Sequence, residues 1–363
     1  MDDIIREILL RLPPGDPACL VRGSLVCKLW RGLLSDRGFL HRYRAFHRTP
    51  PVLGYFHDDS DGGRFVPLTG APSSIPHPEV DWWPLDCRHG RVLFNTLETP
   101  GLVVWDPITG GRQHLRQPMY RFDEEYDSFT AAVLCASHGC DHLDCRGGPF
   151  LVVFAGTYEF QYAHEAMYAD GVVRASVYSS ETGAWSEVSA YLYGPIFYGC
   201  DYEVMGSSLL AGESLYFSIE EDRRILEYDL VRHVLSVIDG PPVYAGGTMV
   251  LMTAEDGGGL GIAEVNKDCL FLWSWKIDPD GIGDWERGRV IRLGMMISIA
   301  TGSPSGSLDL AGFAEGAGSI FVRAEDGMFV VELKPDRVRK VGKRGDDLTT
   351  IFPFTSFYTP GTN

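Results

Sequence analysis

A short two-strand unit recurs along the chain after Pro50-Pro51, and its spacing limits the folds open to the sequence. The unit is an apolar strand, a polar turn and a return strand. It is clear in Leu102-Val-Val-Trp-Asp-Pro-Ile-Thr-Gly-Gly-Arg and in Ser176-Val-Tyr-Ser-Ser-Glu-Thr-Gly-Ala-Trp-Ser. Weaker copies stand in Ile225-Leu-Glu-Tyr-Asp-Leu-Val-Arg-His-Val-Leu-Ser-Val, in Leu270-Phe-Leu-Trp-Ser-Trp-Lys-Ile with Trp285 on the return, and in Met328-Phe-Val-Val-Glu-Leu-Lys-Pro-Asp-Arg-Val. With Trp105, Tyr178, Glu227, Trp273 and Val330 as markers, the intervals are 73, 49, 46 and 57 residues. Blades of a β-propeller repeat at roughly 40 to 50 residues, so the first interval must hold an insertion. A further blade assembles from both ends, pairing Val52-Leu-Gly-Tyr-Phe and Arg64-Phe-Val-Pro-Leu with Ile351-Phe-Pro-Phe-Thr-Ser-Phe-Tyr. That closure hides strand edges that would otherwise pair with other chains. The expectation is an all-β propeller of six blades; a pair of β-sandwiches would explain the alternation but not the spacing.

The first fifty residues obey a different period. Ile4, Ile5, Ile8, Leu9 and Leu12 recur every three or four residues with Arg6, Glu7 and Arg11 between them, which predicts an amphipathic helix. Pro13-Pro14-Gly15 ends it, and Asp16-Pro17 offers an N-cap with proline at the first helical position. A second helical stretch carries Leu20, Val21, Leu25, Val26, Leu29, Trp30 and Leu33, with Gly23-Ser24 as the expected break, and Asp36 starts a third around Phe39, Leu40 and Tyr43. A helical trio this small buries little area alone, so a partner is implied. Leu25, Leu29 and Trp30 are the expected core positions.

Ile-Leu-Leu-Arg-Leu-Pro-Pro at 8 to 14, followed by Ser-Leu-Val-Cys-Lys-Leu-Trp-Arg-Gly-Leu-Leu-Ser-Asp at 24 to 36, closely resembles the F-box signature. The resemblance implies docking onto the Skp-type adaptor of an SCF ubiquitin ligase, and through it onto a cullin. Ile5, Ile8, Leu9, Leu12, Pro13, Leu20, Val26 and Trp30 are then the residues that would serve as its core or its interface. The Leu-Pro pair that usually opens the signature is missing ahead of Asp2, which implies either a shortened start or weaker docking. Further on, Asp86-Cys-Arg-His-Gly-Arg-Val-Leu, Leu226-Glu-Tyr-Asp-Leu and Ser356-Phe-Tyr-Thr-Pro resemble, in their order, the propeller-like domains found behind F-boxes in large plant families. The implied architecture is α+β and multidomain, an F-box over residues 1–48 and a target-recognition propeller over 49–363. The implied function is that of a non-catalytic substrate adaptor. A ligase-independent scaffold, or a propeller binding a small molecule or glycan behind a decayed F-box, is the alternative.

Charge narrows the partners. Residues 1–50 hold nine Lys/Arg and five Asp/Glu, a net of +4, which leaves −21 of the chain's −17 on the other 313 residues. An acidic body disfavours nucleic acid and anionic membrane, and it suits either a basic protein target or plain solubility. The eight cysteines, mostly single in apolar runs, read as reduced, buried thiols, and Met1-Asp2-Asp3 opens no signal-peptide core. With no run of 18 apolar residues, a cytoplasmic or nuclear location is expected.

No nucleophile elbow, phosphate loop or dinucleotide fingerprint occurs, and His164-Glu165-Ala-Met-Tyr168 has tyrosine where a metalloprotease helix needs its second histidine. No cofactor is expected. Cys135, His138, Cys140, His142 and Cys145 offer ligands for zinc but lack the usual two-residue spacing, so a polar insertion loop is the preferred reading. The acidic Asp278-Pro-Asp-Gly-Ile-Gly-Asp284 reads as a hairpin turn. For gripping a target, the candidates are the loop aromatics Trp82, Trp83, Tyr120, Tyr126, Tyr193 and Tyr198.

Overall fold

The computed structural model describes residues 2–59, 62–68, 75–96, 101–118, 129–145, 147–159, 168–186, 189–197, 208–219, 224–242, 248–302, 306–342 and 350–358. Four helices come first: α1 (Asp2–Leu10), α2 (Pro17–Val26), α3 (Lys28–Leu34) and α4 (Arg37–His47). The second predicted stretch is therefore two helices, and it breaks at Cys27 instead of Gly23-Ser24. Cys27 is fully extended, at φ −161° and ψ 168°, and ends α2 while starting α3. Gly23 stays inside α2 for a packing reason: a β-carbon there would stand 3.3 Å from Leu34 Cδ1. Asp16 occupies the N-cap position of α2 without capping it, since its carboxylate accepts from Cys19 Sγ and Arg22. Asp36 does cap α4, accepting the Phe39 N–H at 2.8 Å.

Six antiparallel sheets follow and make a six-bladed β-propeller. β1 (Val52–Asp59) pairs with β2 (Gly62–Pro67). The second sheet runs β3 (Trp82–Arg88), β4 (Arg91–Thr96), β5 (Gly101–Trp105), β6 (Arg112–Leu115). The third runs β7 (Phe129–Cys135), β8 (Phe150–Glu159), β9 (Tyr168–Ser179), β10 (Ala184–Trp185), with β11 (Ser189–Phe197) also on β9. The fourth is β12 (Leu209–Ala211), β13 (Ser214–Ile219), β14 (Arg224–Asp229), β15 (Val234–Asp239), and the fifth is β16 (Thr248–Thr253), β17 (Leu260–Asn266), β18 (Cys269–Ile277), β19 (Gly283–Ile291). After helix α5 (Leu293–Thr301) comes the sixth: β20 (Leu308–Ala314), β21 (Ser319–Ala324), β22 (Gly327–Glu332), β23 (Arg337–Lys340). β24 (Ile351–Thr355) then returns to β1, from His57↔Ile351 to Val52↔Thr355, so both ends of the β region share one sheet as the sequence predicts.

The repeat in the sequence has a local cause. Its markers Trp105, Tyr178, Glu227, Trp273 and Val330 all fall on the third strand of a sheet, and the polar segment after each is the turn into the fourth. A short acceptor side chain holds these turns: Asp106 Oδ1 takes the N–H of Ile108 and Thr109, Asp229 Oδ1 those of Val231 and Arg232, and Asp278 Oδ1 those of Asp280 and Ile282. Inner strands are near-continuous apolar runs because both faces are covered, as in the wholly buried β5. Fourth strands such as β6 and β23 carry Arg112, Arg337, Arg339 and Lys340, charges that discourage edge pairing.

The chain forms two compact units, residues 1–117, 133–150 and 351–363 in one, 118–132 and 151–350 in the other. In the first, Leu9, Leu10, Leu20, Leu33, Leu34, Phe39, Leu40 and Tyr43 form a core with Phe357, and a second core gathers Phe56, Phe65, Trp82, Phe94, Trp105 and Phe354. In the second unit a large core of described residues runs from Leu209 to Leu333. Among the described cysteines only Cys145 is buried and Cys27 is exposed, which corrects the reading of generally buried thiols. No described helix is long and apolar enough to cross a membrane.

Candidate partner interface

The helical domain sorts its apolar residues sharply. On α1, Leu9 is fully buried in the helical core, whereas Ile4 and Ile8, one turn apart on the opposite side, are 67% and 53% exposed. On α2 and α3, Leu20 is buried while Leu25, Val26 and Leu29 are 69%, 63% and 44% exposed. Leu25 and Leu29 are thus surface residues, contrary to the core role expected from periodicity. The cause is the break at Cys27: extending the chain there changes the helix phase, so a spacing of four across it no longer means one buried stripe. Ile5, Leu12 and Trp30 are partly buried against the core, and Pro13 is exposed.

Of the residues proposed for adaptor docking, Leu9 and Leu20 therefore hold the helices together and Ile8, Pro13 and Val26 face outward. Sequence reasoning passed over Ile4, Leu25 and Leu29 as surface; their alternation with charged Arg6 and Lys28 was the available signal. Five aliphatic side chains are left open on these short helices, two on α1 and three around the α2–α3 junction, and exposed apolar side chains grouped in this way offer a partner something to bury. The backbone beneath is firm, because Tyr43 Oη donates to the Leu12 carbonyl at 2.8 Å and His47 Nε2 lies 2.9 Å from the Leu10 carbonyl.

The aromatic candidates for target binding fare unevenly. Trp82 is buried, 5.4 Å from the Phe94 ring and 6.3 Å from that of Trp105, with the Arg112 guanidinium over its face. It belongs to a blade core, since alternate residues of a strand point to opposite faces and this one points inward. Its neighbour Trp83 is partly exposed, with an indole Nε1 that has no hydrogen-bond partner. Tyr120, Tyr126 and Tyr198 lie outside the described residues, and Tyr193 falls on β11 with its side chain outside them. Helix α5 is a surface feature that the sequence reading missed: Leu293 and Ile297 anchor it and Met295 and Ile299 are 57% and 72% exposed. Its i, i+4 pairs of alternating burial were the legible sign.

The second-sheet motif Asp86 to Leu93 proves to be structural. Arg88 Nη1 donates to Asp86 Oδ2 at 2.9 Å with both side chains buried, and the same oxygen accepts the Val133 N–H at 2.8 Å. His89 and Gly90, at φ 54° and 75°, make the tight turn between β3 and β4. Burial and the nearby Arg88 cation hold the His89 imidazole neutral, its pKa pulled down to about 2. Of the five potential zinc ligands, Cys135, Cys140, His142 and Cys145 converge, while His138 is exposed and stands apart.

Comparison with known proteins agrees with this organisation. The family described as "F-box protein AT5G49610-like, beta-propeller" matches residues 84–361, and the F-box domain matches residues 2–42. Among curated proteins no relative matches. Solved structures that resemble the chain include apo AztD from Citrobacter koseri, at 8% identity over 82% of this chain and 97% of that one with a TM-score of 0.36. Another is in a crystal structure of the mitotic checkpoint complex, at 10% identity over 74% and 78% of the two chains with a TM-score of 0.32.

Proposed function

The chain belongs to the F-box proteins with an AT5G49610-like β-propeller, and from that membership we propose that it is the substrate-recognition adaptor of an SCF-type ubiquitin ligase. The observation that carries the proposal is the apolar surface of the helical domain, Ile4, Ile8, Leu25, Val26 and Leu29, on helices whose own core is already complete without them. A Skp-type adaptor covers that surface and connects the chain to a cullin. Burying these side chains removes the cost of exposing them, and each contributes roughly 1 to 2 kcal/mol of association before entropy losses are counted.

The domain division follows, with residues 1–48 docking the ligase and 49–363 holding the target. The propeller does no chemistry: its part is to keep a bound protein within reach of the ubiquitin-carrying enzyme, in the cytoplasm or nucleus. Its net charge of −21 favours a target with a basic surface.

Co-purification of the full chain with a Skp-type adaptor tests this. Ile8→Asp and Leu25→Asp each place a charge on the exposed surface without touching the helical core. Both variants are expected to lose the adaptor while unfolding at the wild-type temperature. Capture of the adaptor at wild-type levels by both would remove the docking surface from consideration.

A further inference from the structure

The loop 136–149, between β7 and β8, brings four metal-binding side chains to one point. Donor atoms of Cys135, Cys140, His142 and Cys145 all lie within 4.8 Å of one another. Cys140 Sγ is 3.7 Å from Cys145 Sγ, and Cys145 Sγ is 3.5 Å from His142 Nδ1. Around a tetrahedral zinc ion, bond lengths of about 2.3 Å to sulfur and about 2.0 Å to nitrogen set two sulfurs roughly 3.8 Å apart and a sulfur and a nitrogen roughly 3.5 Å apart. The Cys140–Cys145 and Cys145–His142 separations are those of ligands sharing one ion, and the remaining donor pairs lie within 4.8 Å. A disulfide would need its sulfurs at about 2.0 Å.

The surroundings hold the cluster in place. Cys135 ends β7, and its N–H donates to His89 Nδ1 at 3.2 Å. The His89 ring stacks on that of His142 with centroids 4.1 Å apart and planes 13° from parallel. His142 itself takes a left-handed φ of 57°, uncommon for a residue with a β-carbon. Arg91 Nη2 donates to the carbonyls of Cys145 at 2.5 Å and Gly148 at 2.7 Å, and Arg91 Nη1 is buried with no hydrogen-bond partner. On the other side of the loop, Asp144 pairs with Arg44 of α4, and Leu143 packs against the helical core.

We propose that Cys135, Cys140, His142 through Nδ1, and Cys145 bind one zinc ion in a closed structural site that locks the 136–149 loop to α4 and to the β3–β4 turn. All four positions are filled by the protein, so no coordination site remains for water or a substrate. Binding releases the three thiol protons to solvent, and the resulting unit of zinc, three thiolates and a neutral imidazole carries a charge of −1. The buried Arg91 cation, bonded to the carbonyl of the last ligand, balances it. The metal-held loop would then connect α4, through Asp144 and Leu143, with the β3–β4 turn, through His89 and Arg91.

Metal analysis of the full-length chain, purified under reducing conditions, tests the site. One zinc per chain is expected. Cobalt(II) added to the chelator-stripped chain should give the intense visible bands of tetrahedral cobalt, with a near-ultraviolet charge-transfer band of the strength of three thiolates. Cys140→Ser and His142→Ala should each lower zinc affinity by roughly tenfold or more, whereas His138→Ala and Cys269→Ser should leave it unchanged. His89→Ala, which removes a supporting ring and no ligand, should weaken zinc by about 10- to 100-fold at unchanged stoichiometry. Should Cys140→Ser fail to fold, the cobalt spectrum of the wild type still counts the thiolates. Zinc well below one per chain together with no tetrahedral cobalt spectrum would overturn the proposal, and so would wild-type zinc affinity in both ligand variants.

Discussion

At the scale of single residues, neighbours in sequence have opposite roles. Leu9 is fully buried and Ile8 is half open, although both belong to one apolar pattern. Leu9→Ala should therefore cost about 2 to 5 kcal/mol of stability, the range for a large side chain removed from a core, whereas Ile8→Ala should stay within about 0.5 kcal/mol in the isolated chain. Urea unfolding of the two variants separates them, and equal losses would show that the division into core and surface is wrong. The buried Arg88 and Asp86 pair makes a second case. Arg88→Met takes one cation away from a buried carboxylate and should cost about 3 to 5 kcal/mol. Replacing Asp86 by leucine as well should recover only part, because the Val133 N–H then loses its acceptor. Full recovery in the double variant would contradict that account.

At the scale of elements, the sheet shared by the two ends is the most exacting. A β-carbon on Gly54 would stand 2.4 Å from the Phe65 ring and 2.4 Å from the Val66 carbonyl oxygen, so Gly54→Ala should cost at least about 1 to 3 kcal/mol. Removing residues 350–363 should leave one edge of β1 unpaired and give aggregates in light scattering; a monodisperse, folded product would show that β24 is dispensable. The turns carry a pH dependence. The backbone N–H groups of Arg232 and Val231, with the first the larger effect, hold the Asp229 carboxyl below its ordinary range. A lowered folded pKa means that the unfolded state binds more protons as pH falls, so the turn's contribution is present above the ordinary carboxylate pKa of about 4 and is lost below it. Asp229→Asn should flatten the acid side of the stability profile, and an unchanged profile would rule out this turn as a source.

At the scale of the whole molecule, charge and apolar surface are divided between the first fifty residues and the rest of the chain. The first fifty residues carry +4 and the exposed aliphatic patch, and the rest carries −21. On the proposed function, docking of an adaptor through the exposed aliphatic side chains should depend little on salt, while binding of a basic target should weaken as ionic strength shortens the Debye length to about 8 Å and below. Binding measured at rising salt distinguishes the two, and a target interaction that ignores salt would count against electrostatic recognition.

The sequence by itself determined the features that depend on neighbours along the chain. The blade repeat was legible because a strand, an Asp- or Ser-held turn and a return strand are set by alternation and local hydrogen bonding, as at Asp106 and Asp229. The helical start was legible because a period near 3.6 ends at Pro13-Pro14 whatever lies elsewhere. Only the tertiary structure decided which apolar residues are inside. Leu25 and Leu29 share the pattern of Leu20 and Leu33, and the extended Cys27 alone changes which of them meets the core. The proposed zinc cluster divides in the same way: the sequence offered Cys135, His138, Cys140, His142 and Cys145 as possible ligands, but only the folded loop, tied to α4 and to the β3–β4 turn, brings four of them together and leaves His138 apart. Burial and convergence depend on surfaces brought from distant parts of the chain, and a local pattern contains no record of them.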